Sequence, residues 1–560
     1  MDCTRFTLVF CLLGLGSCSG GSQTQGGKAA RTPGEPWFEE VSQASGLVFE
    51  HTSGHEREFL FPEIMGGGAA LFDMDGDGDL DAYLVQSGTL RVKPDDPAPA
   101  VCANQLFRNR GDGTFENITE GSGAGDRGYG MGVATGDFDG DGDVDLYLTN
   151  VGRNTLLRND GAGQFTDVTS AAGVGNHSWG TSAAFLDHDL DGDLDLFVCN
   201  YVAWTLAGNL DCVGLRGQPD YCSPNSLAAP QPDTLYRNNG DGSFTDVSAQ
   251  AGLRQAFGNG LGVTCGDFDG DGWVDIFVAN DQMSNQLWHN GGDGTFTDVA
   301  LEAGCALDSN GKAKAGMGTH CADVDDDGDL DLIVVNLHAQ ADSFYRNQGA
   351  WFRDDTARVG LGAATRRYTR FGTGWVDFDN DGRLDLFQAN GRVTLPSQQP
   401  ADGGDPLAEP NVLMRGTDQG RFEVVEPAGG TAAALVATSR AAAFGDLDGD
   451  GAVDIVVVNR DGRAHVLRNI TTERGHWVRF RVVETDGRDA IGASLTVRLG
   501  SRALRRDVAP AYSYCAANDP RVHVGIGAET TVEQVDVRWA DGTRSTVGPF
   551  DADREHMIRR

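Results

Sequence analysis

The chain has 560 residues, 82 acidic against 44 basic, a net charge of −38 and a hydrophobic fraction of 40%. That much apolar content excludes a disordered acidic tail. The lack of a basic stripe to neutralise phosphates excludes nucleic acid as a partner. The acid is also localised, with 33 of the 82 carboxylates inside seven nine-residue segments.

The first eighteen residues read as an export signal. Arg5 is the n-region cation, and Phe6 to Gly14 form an apolar run too short to span a bilayer. Leu15 to Cys18 read LGSC, which resembles a bacterial lipobox. The resemblance implies cleavage before Cys18 and a diacylglycerol on its thiol. With Ser19 following, it also implies sorting to the outer membrane or cell surface. An ordinary signal peptide is the alternative. Residues 19–36 are rich in Gly and Ser and read as a flexible tether. The expected protein is an exported monomer of the bacterial cell envelope, touching membrane only through the lipid.

From residue 73 onward one loop recurs seven times, D-x-D-x-D-G-x-x-D. Position 1 is Asp73, Asp137, Asp187, Asp267, Asp323, Asp377 and Asp446. Position 3 is Asp75, Asp139, Asp189, Asp269, Asp325, Asp379 and Asp448, and position 5 is Asp77, Asp141, Asp191, Asp271, Asp327, Asp381 and Asp450. Position 7 is Asp79, Asp143, Asp193, Trp273, Asp329, Arg383 and Ala452. Position 9 is Asp81, Asp145, Asp195, Asp275, Asp331, Asp385 and Asp454.

Calcium takes six to eight hard oxygens, and loops of this kind supply them from positions 1, 3, 5 and 9 and from the carbonyl of position 7. A backbone ligand at position 7 accounts for the tolerance of Trp273, Arg383 and Ala452. Position 6 is Gly throughout, where the chain turns sharply. This is not an EF-hand, because position 12 is Leu, Val or Gln rather than a bidentate Glu, and it falls in runs such as DLYLTN and DIVVVN that read as buried strands. Up to seven Ca²⁺ are expected, with affinities of about 10⁻⁴–10⁻³ M as in extracellular modules. Magnesium fits less well, since it demands a rigid octahedron.

A Gly-rich strand precedes each loop (MGVATGD, LGVTCGD), and LxRN-x-G-x-G-x-F-T-D-V-T follows the buried strand. Four short strands per unit and seven units predict a seven-bladed β-propeller. Residues 37–47, WFEEVSQASGL, match the outer-strand text FTDVTSAAGV yet precede the first loop, and the last unit stops at HVLRNI. The N-terminal strand is therefore expected to complete the seventh blade and remove the open edge.

These repeats resemble the FG-GAP/VCBS proteins, the integrin alpha-subunit propeller among them. GHWVRFRVV, GRDAIGASLTVRLG, NDPRVHVGIG and VDVRWADGT resemble the ASPIC/UnbV domain, and that order of parts resembles the cartilage acidic protein family with its bacterial relatives. Without the resemblance, residues 471–560 still alternate as a small β-sandwich following a propeller over 37–470.

Eight cysteines follow Cys18: Cys102, Cys199, Cys212, Cys222, Cys265, Cys305, Cys321 and Cys515. A Cys212–Cys222 bridge is the first expectation and Cys305–Cys321 the second. The spacing disfavours zinc.

No nucleophile elbow, zincin motif or phosphate loop is present, so catalysis is not the primary expectation. Strand-entry residues suited to line a channel are His51, His55, Glu56, His177, Trp179, His320 and the cluster Arg366, Arg367, Tyr368 and Arg370, which reads as a solvated loop or, as the alternative, an anion site. The leading reading is a calcium-stabilised binding or adhesion module with an extracellular protein or glycan ligand. The alternatives are a propeller enzyme or a lectin working on glycans at the central channel.

Overall fold

The computed structural model describes residues 34–56, 58–91, 103–349, 351–397 and 404–560. The export signal with Cys18, the tether up to residue 33, and Cys102 lie outside the described residues. Among the described residues no helix is long and apolar enough to cross a membrane.

Blade 2 shows how the repeat folds. Its inner strand Gly130–Gly136 runs into the acidic loop and returns as Asp145–Asn150, followed by Thr155–Asn159 and the three-residue Phe165–Asp167, all antiparallel. The outer strand is shorter than the FTDVT text suggests. After FTD the chain makes one helical turn, Thr169–Ala172, which ends at Gly173 in the left-handed region.

The same four-strand sheet forms seven times. The inner strands are Ala69–Phe72, Gly130–Gly136, Gly180–Leu186, Gly260–Gly266, Gly316–Ala322, Arg370–Val376 and Ser439–Gly445. Each packs beside the next, and the last packs beside the first, so the sheets close into a ring. Phe38–Glu40 pairs with His465–Asn469 in the register Phe38↔Asn469, Glu39↔Arg468, Glu40↔Leu467. The seventh sheet is thus completed by the N-terminal strand, as the repeat alignment expects.

The apolar core lies between blades. Phe72, Tyr83 and Leu106 of blade 1 meet Val133, Leu146 and Leu157 of blade 2, and blade 7 meets blade 1 through Val456, Val458, Leu71 and Leu84. Inner-strand glycines permit this closeness. A Cβ on Gly132 would lie 2.7 Å from the Thr181 carbonyl oxygen and 3.0 Å from the Cα of Cys515.

Beyond residue 471, a three-stranded sheet (Val522–Gly527, His476–Val483, Arg554–Arg559) and a four-stranded sheet (Arg502–Asp507, Ser494–Leu499, Gln534–Arg538, Arg544–Val547) share a core of Phe480, Val482, Leu495, Val497, Val535 and Trp539.

One excursion from this sandwich enters the propeller. Ala516–Ala517 adds to blade 1 as a fifth strand, parallel to Ala69–Phe72. Ser513 exchanges backbone hydrogen bonds with Thr319 of blade 5, at 3.0 and 2.8 Å. Its hydroxyl donates to Ala442 O of blade 7, and the Cys515 N–H donates to Ser182 Oγ of blade 3. Tyr514 is fully buried, its hydroxyl donating to Met65 O at 2.8 Å and its ring edge-on to Phe371 at 4.9 Å. Residues 509–519 therefore fill the centre of the ring.

Candidate metal sites

The loops share one backbone solution. In blade 2 the Asp137 carboxylate accepts from Gly140 N–H at 2.8 Å and Gly142 N–H at 2.9 Å, and Asp141 accepts from Asp143 N–H. Asp145 accepts from Phe138 N–H at 3.0 Å and Asn159 N–H at 2.7 Å, which ties the loop to the third strand. Position 6 is left-handed in all seven loops, from Gly451 at φ 81° to Gly272 at φ 106°. So is position 4, where Gly stands in four loops but Leu190, Asp326 and Asn380 adopt φ 57°, 61° and 55°. The sequence reading credited only position 6.

The loops of blades 1 to 4 gather their carboxylates. Ligand oxygens of Asp73, Asp75 and Asp81 lie within 4.8 Å of one another, as do those of Asp137, Asp139 and Asp145, and of Asp187, Asp189 and Asp191. Several of these buried oxygens have no hydrogen-bond partner among the described residues: Oδ1 of Asp75, Asp187, Asp189, Asp446 and Asp448. Burial pushes Asp81 and Asp275 up to about 7 and Asp331 up to about 8. Burial and then neighbouring carboxylates raise Asp187 to about 7 and Asp377 to about 8. Single arginines offset part of this crowding of like charge, as Arg108 does at Asp75 and Arg479 at Asp446, and leave more carboxylates than cations in each loop. The donor set is all oxygen in five blades, which suits a hard cation.

Blades 3 and 4 add an imidazole. His188 Nδ1 hydrogen-bonds Asp195, and His289 Nδ1 lies 3.3 Å from both Asp269 and Asp275. His188 therefore engages its loop's position-9 carboxylate. Elsewhere an arginine takes the place of His289, as in Arg108 to Asp75 at 3.1 Å and Arg415 to Asp379 at 3.0 Å.

Two further features escaped the sequence reading. The Asn of the repeated RN dipeptide latches neighbouring blades. Asn159 Nδ2 donates to Met74 O of blade 1 at 2.8 Å, Asn238 to Phe138 O, Asn290 to His188 O, Asn347 to Phe268 O, Asn469 to Phe378 O and Asn109 to Leu447 O. Blade 6 has Gly416 instead, and a Cβ there would lie 2.4 Å from Leu384 O. Recurrence of RN within the chain was the available signal.

The second feature is electrostatic docking. Residues 471–560 carry fourteen arginines and no lysine, and several reach the loops. Arg521 donates to Gly78 O and Arg505 to Gly328 O at 2.8 Å each, Arg502 donates to Gly382 O at 2.9 Å, and Arg488 donates to Gly192 O. Arg538 pairs with Asp267 at 3.0 Å and Arg479 with Asp446 at 2.8 Å. Six of the seven loops are contacted in this way.

The channel residues do not assemble into one site. Trp179 is core, at 3% exposure. His320 stacks on Tyr512 at 3.8 Å and accepts from Trp375 N–H, and burial lowers its pKa to about 3. The proposed anion cluster disperses. Arg370 is fully buried and pairs with Asp342 at 2.6 Å, whereas Arg366 and Arg367 are exposed and Arg367 lies over the Tyr368 ring. His177 and Glu56 are exposed. His51 hydrogen-bonds Ser87, and His55 pairs with Glu63 at 2.7 Å.

Cys212–Cys222 is bridged as expected. The second pairing is corrected, since Cys305 and Cys321 are both free thiols. Cys305 is sealed in the core between blades 4 and 5, which leaves it as a small apolar side chain.

Seven strand–acidic loop–strand units closed into a ring define a β-propeller of the aspartate-loop class, here joined to a β-sandwich that docks on its loop face. The FG-GAP-like repeat family matches residues 73–148, 137–198, 215–278, 267–334 and 323–387, and the ASPIC and UnbV family matches residues 483–560. The chain belongs to the FG-GAP-like repeat family and carries a C-terminal ASPIC and UnbV domain. It is 27% identical over 336 residues to cartilage acidic protein 1 of Homo sapiens, covering 57% of this chain and 46% of that protein. The Mus musculus protein matches at 27% over 334 residues, covering 57% and 47%. The chain thus spans about half the length of the curated relatives it matches. Among solved structures, a Bacillus licheniformis rhamnogalacturonan lyase aligns at 14% identity and a TM-score of 0.38, covering 77% of this chain and 75% of that one. A lectin of Agrocybe aegerita aligns at 16% and 0.37, covering 71% and 86%. At these scores neither carries an argument about activity.

Proposed function

We propose that the protein is an exported binding module whose propeller is stabilised by calcium held in its aspartate loops. The observation that carries this reading is the set of buried loop carboxylate oxygens without hydrogen-bond partners among the described residues. In each blade, positions 1, 3, 5 and 9 and the carbonyl of position 7 would hold the ion. Bound calcium would supply the positive charge that single arginines only partly provide to the crowded carboxylates. The hairpin turns and the strand-to-strand ties to position 9 then keep those oxygens gathered.

Similarity to cartilage acidic protein 1 supports an extracellular setting and an extracellular protein or glycan ligand. Lipid anchoring through Cys18 belongs to the same reading. The filled centre of the ring favours a binding surface over an axial active site.

Calcium bound only to the folded state stabilises by mass action. Protein stripped of metal with EGTA is expected to melt lower than the same protein in millimolar calcium, and re-added calcium is expected to restore the higher melt. An identical melt in both states, with the stripped sample verified metal-free, would remove the structural role of calcium.

A further inference from the structure

The face of the propeller opposite the acidic loops carries a cavity of about 500 Å³ at the end of the channel. An insertion in blade 3, spanning 201–233 and braced by Cys212–Cys222, forms one wall. It is fastened to blade 4 by Ser223 Oγ and Asn225 Nδ2, both donating to Gln282 Oε1 at 2.9 Å. Gln282 itself is held at φ 58°, a left-handed conformation that a non-glycine residue adopts at a cost. Tyr514 closes the inner end from below through Met65 and Phe371, both of which line the cavity.

The walls are largely apolar and aromatic, with Phe61 and Tyr201 at 5.6 Å between ring centroids. The charged side chains that line it are two carboxylates, Asp211 and Asp281, and no lysine, arginine or histidine is among the lining residues. Asp281 is 6% exposed, so it is more than nine-tenths buried. One of its oxygens accepts from the Tyr201 hydroxyl at 2.6 Å, and Oδ1 has no hydrogen-bond partner among the described residues. Tyr221, also on the wall, has its hydroxyl bound to Glu63 and Arg460. Arg460 and the nearby Arg440 give their guanidinium protons to backbone carbonyls at this end, including Glu63 O and Ile64 O, and to Tyr221. The wall also carries the hydroxyl and amide groups of Ser223, Ser226, Thr394 and Gln282, and the Arg440 guanidinium lies 4.1 Å from the centre of the Phe371 ring, so selection for a cation rests on the unpaired Asp281 oxygen.

Pockets with an apolar lining and few convergent polar groups are ligand sites. A buried carboxylate with an unused oxygen calls for a donor, and an ammonium beside aromatic rings gains from both. We propose that this cavity binds a small organic cation, an apolar body seated against Phe61 and Tyr201 with its ammonium paired to Asp281. This site lies on the opposite face from the calcium loops and does not depend on them.

The test is isothermal titration of the full chain in saturating calcium with 2-phenylethylammonium, and with phenylacetate and 2-phenylethanol as anionic and neutral counterparts. Saturable binding of the cation at one site is expected, with the alcohol weaker by about tenfold or more and the anion not binding. Asp281→Asn should weaken the cation by about tenfold or more while preserving shape. Leu337→Trp should block it by filling the cavity. Binding of the anion or alcohol as tightly as the cation, an unchanged affinity in Asp281→Asn, or no saturable cation binding by folded protein would each overturn the proposal.

Discussion

Removing one inter-blade latch should cost several hydrogen bonds at once, because the side chain is buried and bonded to two blades. Asn159 is fully buried, and its side chain makes three hydrogen bonds. Nδ2 donates to Met74 O at 2.8 Å and Val144 O at 3.2 Å, and Oδ1 accepts from Gly161 N–H at 3.1 Å. Asn159→Ala removes all three and leaves three backbone groups to find water or go unpaired. At about 1 kcal/mol net for each bond, the expected loss is roughly 3 kcal/mol, with more if the two carbonyls stay dry. Urea unfolding of the calcium-loaded protein measures this as a lower midpoint at unchanged slope. Asn239→Ala is the control, because its side chain bonds only within its own exposed turn. It should change stability by no more than about 0.5 kcal/mol. A loss below that same figure for Asn159→Ala would refute the idea that these amides bind the blades together.

Other outcomes follow from the same geometry. The loop carboxylates Asp81, Asp187, Asp275, Asp331 and Asp377 titrate higher in the fold than their ordinary 3.8, reaching about 7 to 8. A raised folded pKa means that the native state holds more protons, so metal-free protein should lose stability as pH rises from about 4 to 8. Calcium should flatten that fall, and a metal-free melt that rises across the window contradicts the charge-crowding argument. Leu190 holds a left-handed conformation that Asn tolerates better. Leu190→Asn should therefore raise stability by up to about 1 kcal/mol, read as a higher urea midpoint, and a clear fall would count against strain at position 4. Tyr514→Ala should destabilise by about 3–5 kcal/mol, as loss of a buried ring does, and Tyr514→Phe by only about 1. Equal effects would show that the ring does not anchor the segment filling the channel.

Local features were legible in the sequence because they rest on short-range chemistry. The Asp and Gly spacing identified each loop, and the match of residues 37–47 to the outer-strand text anticipated that Phe38 pairs with Asn469. Cys212 and Cys222, ten residues apart in one insertion, were within easy reach of each other. Long-range features were not legible. AYSYCAAN has no strand or helix periodicity, so nothing marked Tyr514 as the residue that reaches Met65. Nothing local to Arg505 or Arg521 marks their partners, the carbonyls of Gly328 and Gly78, which only the fold brings opposite them. The Arg366–Arg370 cluster is part solvated loop, with Arg366 and Arg367 exposed, and part core. Adjacent residues face different ways, and Arg370 turns inward to Asp342.

The most direct measurement of the central claim is the number of calcium ions bound per chain, counted by flow dialysis on metal-stripped protein, beside the same count for Asp139→Ala. The account predicts saturable binding approaching seven ions per chain, one for each aspartate loop, and a count lower by one in Asp139→Ala. No saturable binding, or a count that Asp139→Ala leaves unchanged, would contradict it.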